Sequence, residues 1–183
     1  VNLYYASPNK PKGKSVTVSI SVSCFVPKPF TPFQFEPQER MEELQRKQML
    51  LKDSITTKKV RYTWHDARIS FIEAVFSRGD RRLSKAIVEA YKLGQVFDAW
   101  SEHFDFDRWL KAFENVGINP EFYAYRRFEY DDVLPWDMID AGISKEFLIR
   151  ENKKAHKEEL TPDCRTRCAS CGAKNCTIRG GKE

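Results

Sequence analysis

Residues Ser15 to Val26 set Val16, Val18, Ile20, Val22 and Cys24 against Thr and Ser, and four prolines, Pro27, Pro29, Pro32 and Pro37, follow at once. Alternation of period two with β-branched residues predicts one long strand over 15–26. Proline lacks the N–H that a ladder needs, so the chain has to leave the sheet there along an extended path over its rim. The outer face is small and hydroxylated. That suits a strand facing into a barrel or cleft, and equally an ordinary amphipathic strand. An isolated strand cannot satisfy its backbone groups, and no partner strand lies upstream of it here.

A helix is expected from about Pro37, a residue suited to a first helical turn. Met41, Leu44, Leu51 and Ile55 share one face, with Glu42–Arg46 and Glu43–Lys47 as exposed pairs. Strand, proline exit and helix together make one β/α unit, and Lys59 to Tyr62 reads as a second short strand. Beyond Trp64 the period becomes helical. Asp66 is placed to cap a helix carrying Ile69, Ile72 and Phe76, and Asp80 to cap one carrying Leu83, Ala86, Ile87, Ala90 and Tyr91 up to Gly94. Asp107 is expected to cap a third with Trp109, Leu110, Phe113 and Val116, and Ser144 a last one through Phe147 and Leu148. The fold class is therefore α+β, mainly α.

Four of the five cysteines crowd the end of the chain as Cys164-x3-Cys168-x2-Cys171-x4-Cys176. Thiolates at such spacings turn back on one metal ion or one iron–sulfur cluster at little closure cost, and Gly172 eases the turn. The alternatives are a disulfide pair in a secreted protein, or a tail that binds nothing. Two closely spaced pairs without a long spacer are too compact for a two-knuckle zinc ribbon, so a single site is expected, a 4Fe–4S cluster or zinc. Lys and Arg outnumber Asp and Glu only by 31 to 26, too few to argue nucleic-acid binding, and the surplus is partly local. Arg165, Arg167, Lys174, Arg179 and Lys182 surround the cysteines, against Asp163 and Glu183. No stretch has the apolar length of a membrane span, and a cytoplasmic location is expected. The opening Val1-Asn2-Leu3, with neither an initiator Met nor a leader, reads as the start of a fragment.

Taken in order, Ser23-Cys-Phe-Val-Pro-Lys-Pro-Phe-Thr-Pro-Phe-Gln34, Phe76-Ser-Arg-Gly-Asp-Arg-Arg-Leu83, Phe97-Asp-Ala-Trp-Ser-Glu-His-Phe104, Asn119-Pro-Glu-Phe-Tyr123, Val133-Leu-Pro-Trp-Asp137 and Ile143-Ser-Lys-Glu-Phe147 resemble the C-terminal part of a cobalamin-binding radical S-adenosylmethionine family protein. The resemblance spans nearly the whole chain. It implies that residues 1–57 are the C-terminal end of a partial α/β barrel, with Val16 to Phe25 a late strand and Pro27 to Phe35 crossing the barrel mouth. Residues 58–160 would be a helical post-barrel domain and 161–183 a cysteine-rich tail. S-adenosylmethionine and cobalamin would then be cofactors of the full-length protein, and the barrel and cobalamin domain the partners of this segment; the substrate is left open, with RNA and protein as candidates, and no membrane is expected. The C-x3-C-x2-C loop that cleaves S-adenosylmethionine belongs at such a barrel's first strand. Cys164, Cys168 and Cys171 repeat its spacing, but they follow the barrel segment, Ser170 replaces the usual aromatic, and Cys176 would fill the remaining iron. They are read as an auxiliary site, and the fragment alone is expected to be inactive.

Other side chains invite weighing. His103 with Glu102, Asp105 and Asp107 has the makings of a proton shuttle, although acids before a helix more often cap it. Arg78, Arg81 and Arg82 flank a Gly-Asp turn and offer a grip for phosphate or carboxylate, or simply a solvated face. Lys28, held between prolines on the barrel rim that the resemblance implies, is placed to meet an anionic group. Two function classes follow: the end of a radical S-adenosylmethionine enzyme, such as a methyltransferase, or a helical binding module whose basic, zinc-holding tail docks on RNA or an acidic partner.

Overall fold

In a computed structural model, which describes residues 1–173 and 176–177, the chain is mainly helical with one small sheet. Helix α1 (Asn2–Ala6) precedes strand β1 (Val18–Val22), helix α2 (Met41–Ser54) and strand β2 (Val60–Trp64). Helices α3 (Ala67–Arg78), α4 (Ser84–Lys92), α5 (Phe106–Asn115), α6 (Pro120–Tyr125) and α7 (Lys145–Ala155) complete it.

The two strands run parallel, in a register that sets Val18 beside Val60 and Val22 beside Trp64, with α2 as their crossover. Parallel strands need such a crossover because no tight turn reverses the chain twice. The pairing joins residues on either side of position 57. Strand β1 is shorter than the expected 15–26, because its ladder ends where β2 ends and Pro27 blocks any continuation. The second strand extends to Trp64 rather than Tyr62. Each strand keeps one edge unpaired among the described residues, and Ile20 on β1 is exposed.

Helix α2 begins at Met41, four residues later than Pro37 suggests; the expected face is its inner one, with Met41, Leu44 and Ile55 half-buried about the buried Gln48, but Leu51 on that face is exposed, as are Met49 and Leu50. Its Arg46 pairs with Glu43, and Lys47 with both Glu39 and Glu43. The caps at Asp66, Asp80 and Ser144 fall where the sequence puts them, each side chain accepting a backbone N–H. The third cap does not: Asp105, not Asp107, accepts from Arg108 N–H at 3.0 Å, leaving Asp107 in the first turn where its charge complements the helix dipole.

The main core joins Phe71, Ile72, Ala74 and Val75 of α3 to Ala86 and Ala90 of α4, Trp109 and Phe113 of α5, and Tyr123 and Ala124 of α6. Helix α4 meets α5 through its alanine stripe, so Ile87 and Tyr91, one step around the helix, are exposed instead of buried. A second cluster, Phe35, Phe128, Leu134, Trp136 and Leu148, gathers the proline segment, the loop before α7, and α7 itself.

The proline segment is fastened between these two cores. Gln34 accepts from both Phe30 N–H and the buried Trp136 indole at 2.9 Å. Gln38 donates its amide to the Ser70 carbonyl at 2.9 Å, and its own N–H to the Ala124 carbonyl at 2.9 Å.

Candidate functional site

Both strands end on the same side, and in open parallel sheets that carboxyl end is where the loops converge on ligands. Cys24 and His65 stand just beyond β1 and β2. The Gln48 amide donates to Cys24 Sγ at 3.3 Å and to the His65 carbonyl at 2.8 Å, tying α2 to both strand ends. His65 Nδ1 lies 3.0 Å from Ser70 Oγ, at the first turn of α3. Beside them an open cleft of about 500 Å³ is lined by Gln45, Gln48, Met49, Trp64, Asp66 and Arg68. Its chemistry is amide, aromatic and guanidinium, suited to holding a polar planar group. Arg68 is turned back on Asp66, whose carboxyl its hydrogen bonds hold below the usual range.

Lys28, in the proline segment beyond β1, has its ammonium engaged: it pairs with Glu73 and donates to Ser77 Oγ at 2.8 Å. Arg82 forms a bidentate pair with Asp80, and these bonds hold the Asp80 carboxyl below its ordinary value. Arg81 is exposed. Arg78 is no anion grip at all. It is 1% exposed and points inward, donating to the carbonyls of Tyr123 at 2.6 Å, Ala124 at 2.7 Å and Arg126, with its guanidinium 4.8 Å from the Phe128 ring centre. Burial, with the nearby Arg126 charge, pulls it down to about 10, so it remains a cation at neutral pH. His103 is exposed, its ring 5.9 Å from that of Phe97 across a surface turn, and Asp105 is occupied in capping α5 and pairing with Arg108. Lys28, the Arg81–Arg82 turn and His103 thus have different partners and share no contact among the described residues.

A network absent from the sequence reading ties the proline segment to α7. Glu36 Oε1 accepts from His156 Nε2 at 2.7 Å, Arg127 at 3.1 Å and the buried Asn152 at 3.1 Å, and Tyr130 donates to Asn152 Oδ1 at 2.6 Å. Burial alone would raise the Glu36 carboxyl, but the hydrogen bonds from His156 and Asn152 and the charge of Arg127 together hold it low. These partners lie 91 to 120 residues away, so no local pattern announces them.

Of the terminal cysteines, Cys164 and Cys168 are exposed and Cys171 and Cys176 half-buried, all as free thiols. Among the described residues no three His, Cys, Asp or Glu side chains stand together as a metal site. The donor set is nonetheless the one a thiophilic centre takes, four thiols with Arg165 and Arg167 to offset their charge. The basic residues Lys174, Arg179 and Lys182 lie outside the described residues. No helix among those described is long and apolar enough to cross a membrane. Comparison with protein-family models, with curated proteins and with solved structures gives no match.

Proposed function

We propose that this chain is the C-terminal part of a cobalamin-binding radical S-adenosylmethionine iron–sulfur enzyme, with β1–α2–β2 as the last unit of its barrel. The observation that carries the reading is the two-stranded parallel sheet. Parallel sheets occur with both faces covered and several strands paired, and two strands alone do not sustain one. A sheet with two open edges and an exposed Ile20 asks for neighbouring strands, which the rest of a barrel would provide. The α3–α6 core has the self-containment of a binding module, but such a module has no use for that sheet.

In this reading the cleft beside Gln48 and Trp64, with Cys24, His65 and Lys28, faces the barrel mouth and lines the substrate side. The terminal cysteines hold an auxiliary 4Fe–4S cluster or zinc, which when bound supplies a redox or structural centre separate from the cleavage of S-adenosylmethionine. Full coordination by four thiolates leaves no open iron for that cleavage.

The test is to express the complete open reading frame beside the 183-residue chain, reconstitute both anaerobically with iron and sulfide, and measure 5′-deoxyadenosine. Production by the longer protein alone is expected. A reading frame without a C-x3-C-x2-C loop upstream refutes the proposal, and robust production by the short chain refutes the auxiliary role of its cysteines.

A further inference from the structure

After α7 the chain doubles back along that helix and is fastened to it at three stations. Near the helix C-terminus, Thr161 bonds to Glu151 and accepts from Lys154 Nζ at 2.8 Å. One turn on, the Arg150 guanidinium donates to the Ala169 carbonyl and reaches the Ser170 carbonyl at 3.4 Å. At the helix N-terminus the N–H of Ser144 donates to the Cys171 carbonyl at 2.9 Å. Between the first two stations, Asp163 closes a turn by accepting from Arg165 N–H at 2.8 Å and, through its carbonyl, from Thr166 and Arg167.

The residues on either side of Cys171 are both left-handed, Ser170 at φ 53° and Gly172 at φ 92°. A side chain at 172 would be strained by that φ, and its Cβ would stand 2.8 Å from Ser144 Cβ and 2.9 Å from Ser144 N. Only glycine lets the loop lie this close to the helix. The backbone around Cys171 is therefore set by contacts with α7, not by its own sequence neighbours.

We propose that Cys171 is the pre-set ligand of a tetrathiolate metal centre, that the dock of its backbone on α7 fixes it, and that Arg150 and Gly172 are its positioning residues. The inference rests on the reading of the terminal cysteines as a metal site. Cys164, Cys168 and Cys176 close on the metal as it binds, so loading is coupled to bringing these three thiols onto Cys171. With Cys171 already placed, part of the ordering cost is met before metal arrives, and affinity rises accordingly. The same four thiols suit Zn²⁺ or a 4Fe–4S cluster.

The test uses the full chain, reduced and metal-free. Titration with Co²⁺ under argon, read by thiolate-to-cobalt absorption and by Zn²⁺ competition, gives affinity, and a parallel arm with iron and sulfide separates cluster from zinc. Arg150→Ala and Gly172→Ala are each expected to weaken binding by roughly 10–100-fold, as loss of ligand-orienting contacts does, with Arg150→Lys restoring part of it. Before metal is added, Cys171 should be alkylated by iodoacetamide more slowly than Cys164, and Arg150→Ala should abolish that protection. Circular dichroism confirms that the variants stay folded. A parent that takes up metal no better than its two variants, or whose Cys171 is unprotected, refutes the dock. A parent that takes up neither cobalt nor a cluster refutes the metal centre itself and the inference with it.

Discussion

Arg78→Met replaces a buried guanidinium with an apolar chain of similar length. In the parent it caps the end of α6, whose last carbonyls, those of Tyr123 and Ala124, have no partner within the helix. Each hydrogen bond from a charged donor contributes about 1.5–3 kcal/mol, and three are lost. Against that stands the several kcal/mol needed to withdraw a cation from water, raised here because Nε finds no acceptor. The difference leaves about 3 kcal/mol of lost stability, since methionine satisfies none of the carbonyls and only that of Ala124 keeps another donor, the Gln38 N–H. With a urea slope of about 2 kcal/mol per molar for a chain of this size, the midpoint should fall by roughly 1.5 M at unchanged slope. Far-UV circular dichroism and tryptophan fluorescence should report the same transition. Arg78→Lys, which keeps the charge but not the fork, should fall between the two. Below about pH 10 Arg78 is charged folded and unfolded alike, so it adds no pH dependence there and the loss should be the same at pH 6 and 8. A midpoint equal to or above the parent's would refute the argument, because desolvation would then outweigh all three bonds.

Glu36→Gln should cost about 1 kcal/mol at neutral pH, a modest figure because Arg127 and His156 are half-exposed to screening solvent. The Glu36 carboxyl is depressed in the folded state, so its contribution is present above the ordinary glutamate range and is lost as pH falls through that range to the folded value. Parent and variant should therefore converge in urea unfolding as pH falls below the ordinary glutamate range, and a constant gap down to the lowest pH would sink the assignment. Gly79→Ala puts a Cβ 1.9 Å from Leu83 Cδ1 and 2.7 Å from the Val75 carbonyl oxygen. Overpacking of this kind costs about 2 kcal/mol, or roughly 4–8 °C in the melting midpoint; an unchanged midpoint in calorimetry would mean that Leu83 yields freely.

Helix starts were readable where a short polar residue stands directly before an apolar period, as at Asp66, Asp80 and Ser144. Asp105 and Asp107 defeated the same rule because both satisfy it, and only the packing of Phe106 against Phe71 settles which one lies outside the helix. The period of two was also legible, whereas the strand's length depended on a partner of only five residues. Arg78 and the Glu36 network were hidden for a different reason. A guanidinium facing carbonyls 45 to 48 residues away carries no local signature and looks like any surface arginine. The engagement of Lys28 by Glu73 and Ser77 on α3 required the turn of that helix to be known.

The proline segment also bears on how the chain is made. Its contacts are among the most distant in the molecule: Gln34 waits for Trp136, 102 residues later, and Glu36 for Asn152 and His156, 116 and 120 later. At ribosomal speeds of about 5–20 residues per second that interval is on the order of ten seconds. The core of α3 to α6 draws on residues 71 to 124 and can close while the rest is still being synthesised. Phe35, 1% exposed in the finished molecule, stays uncovered until Phe128, Trp136 and Leu148 emerge. Assembly is thus vectorial in two stages, and the prolines give the waiting segment a stiffness that keeps it extended and unable to pair in the meantime.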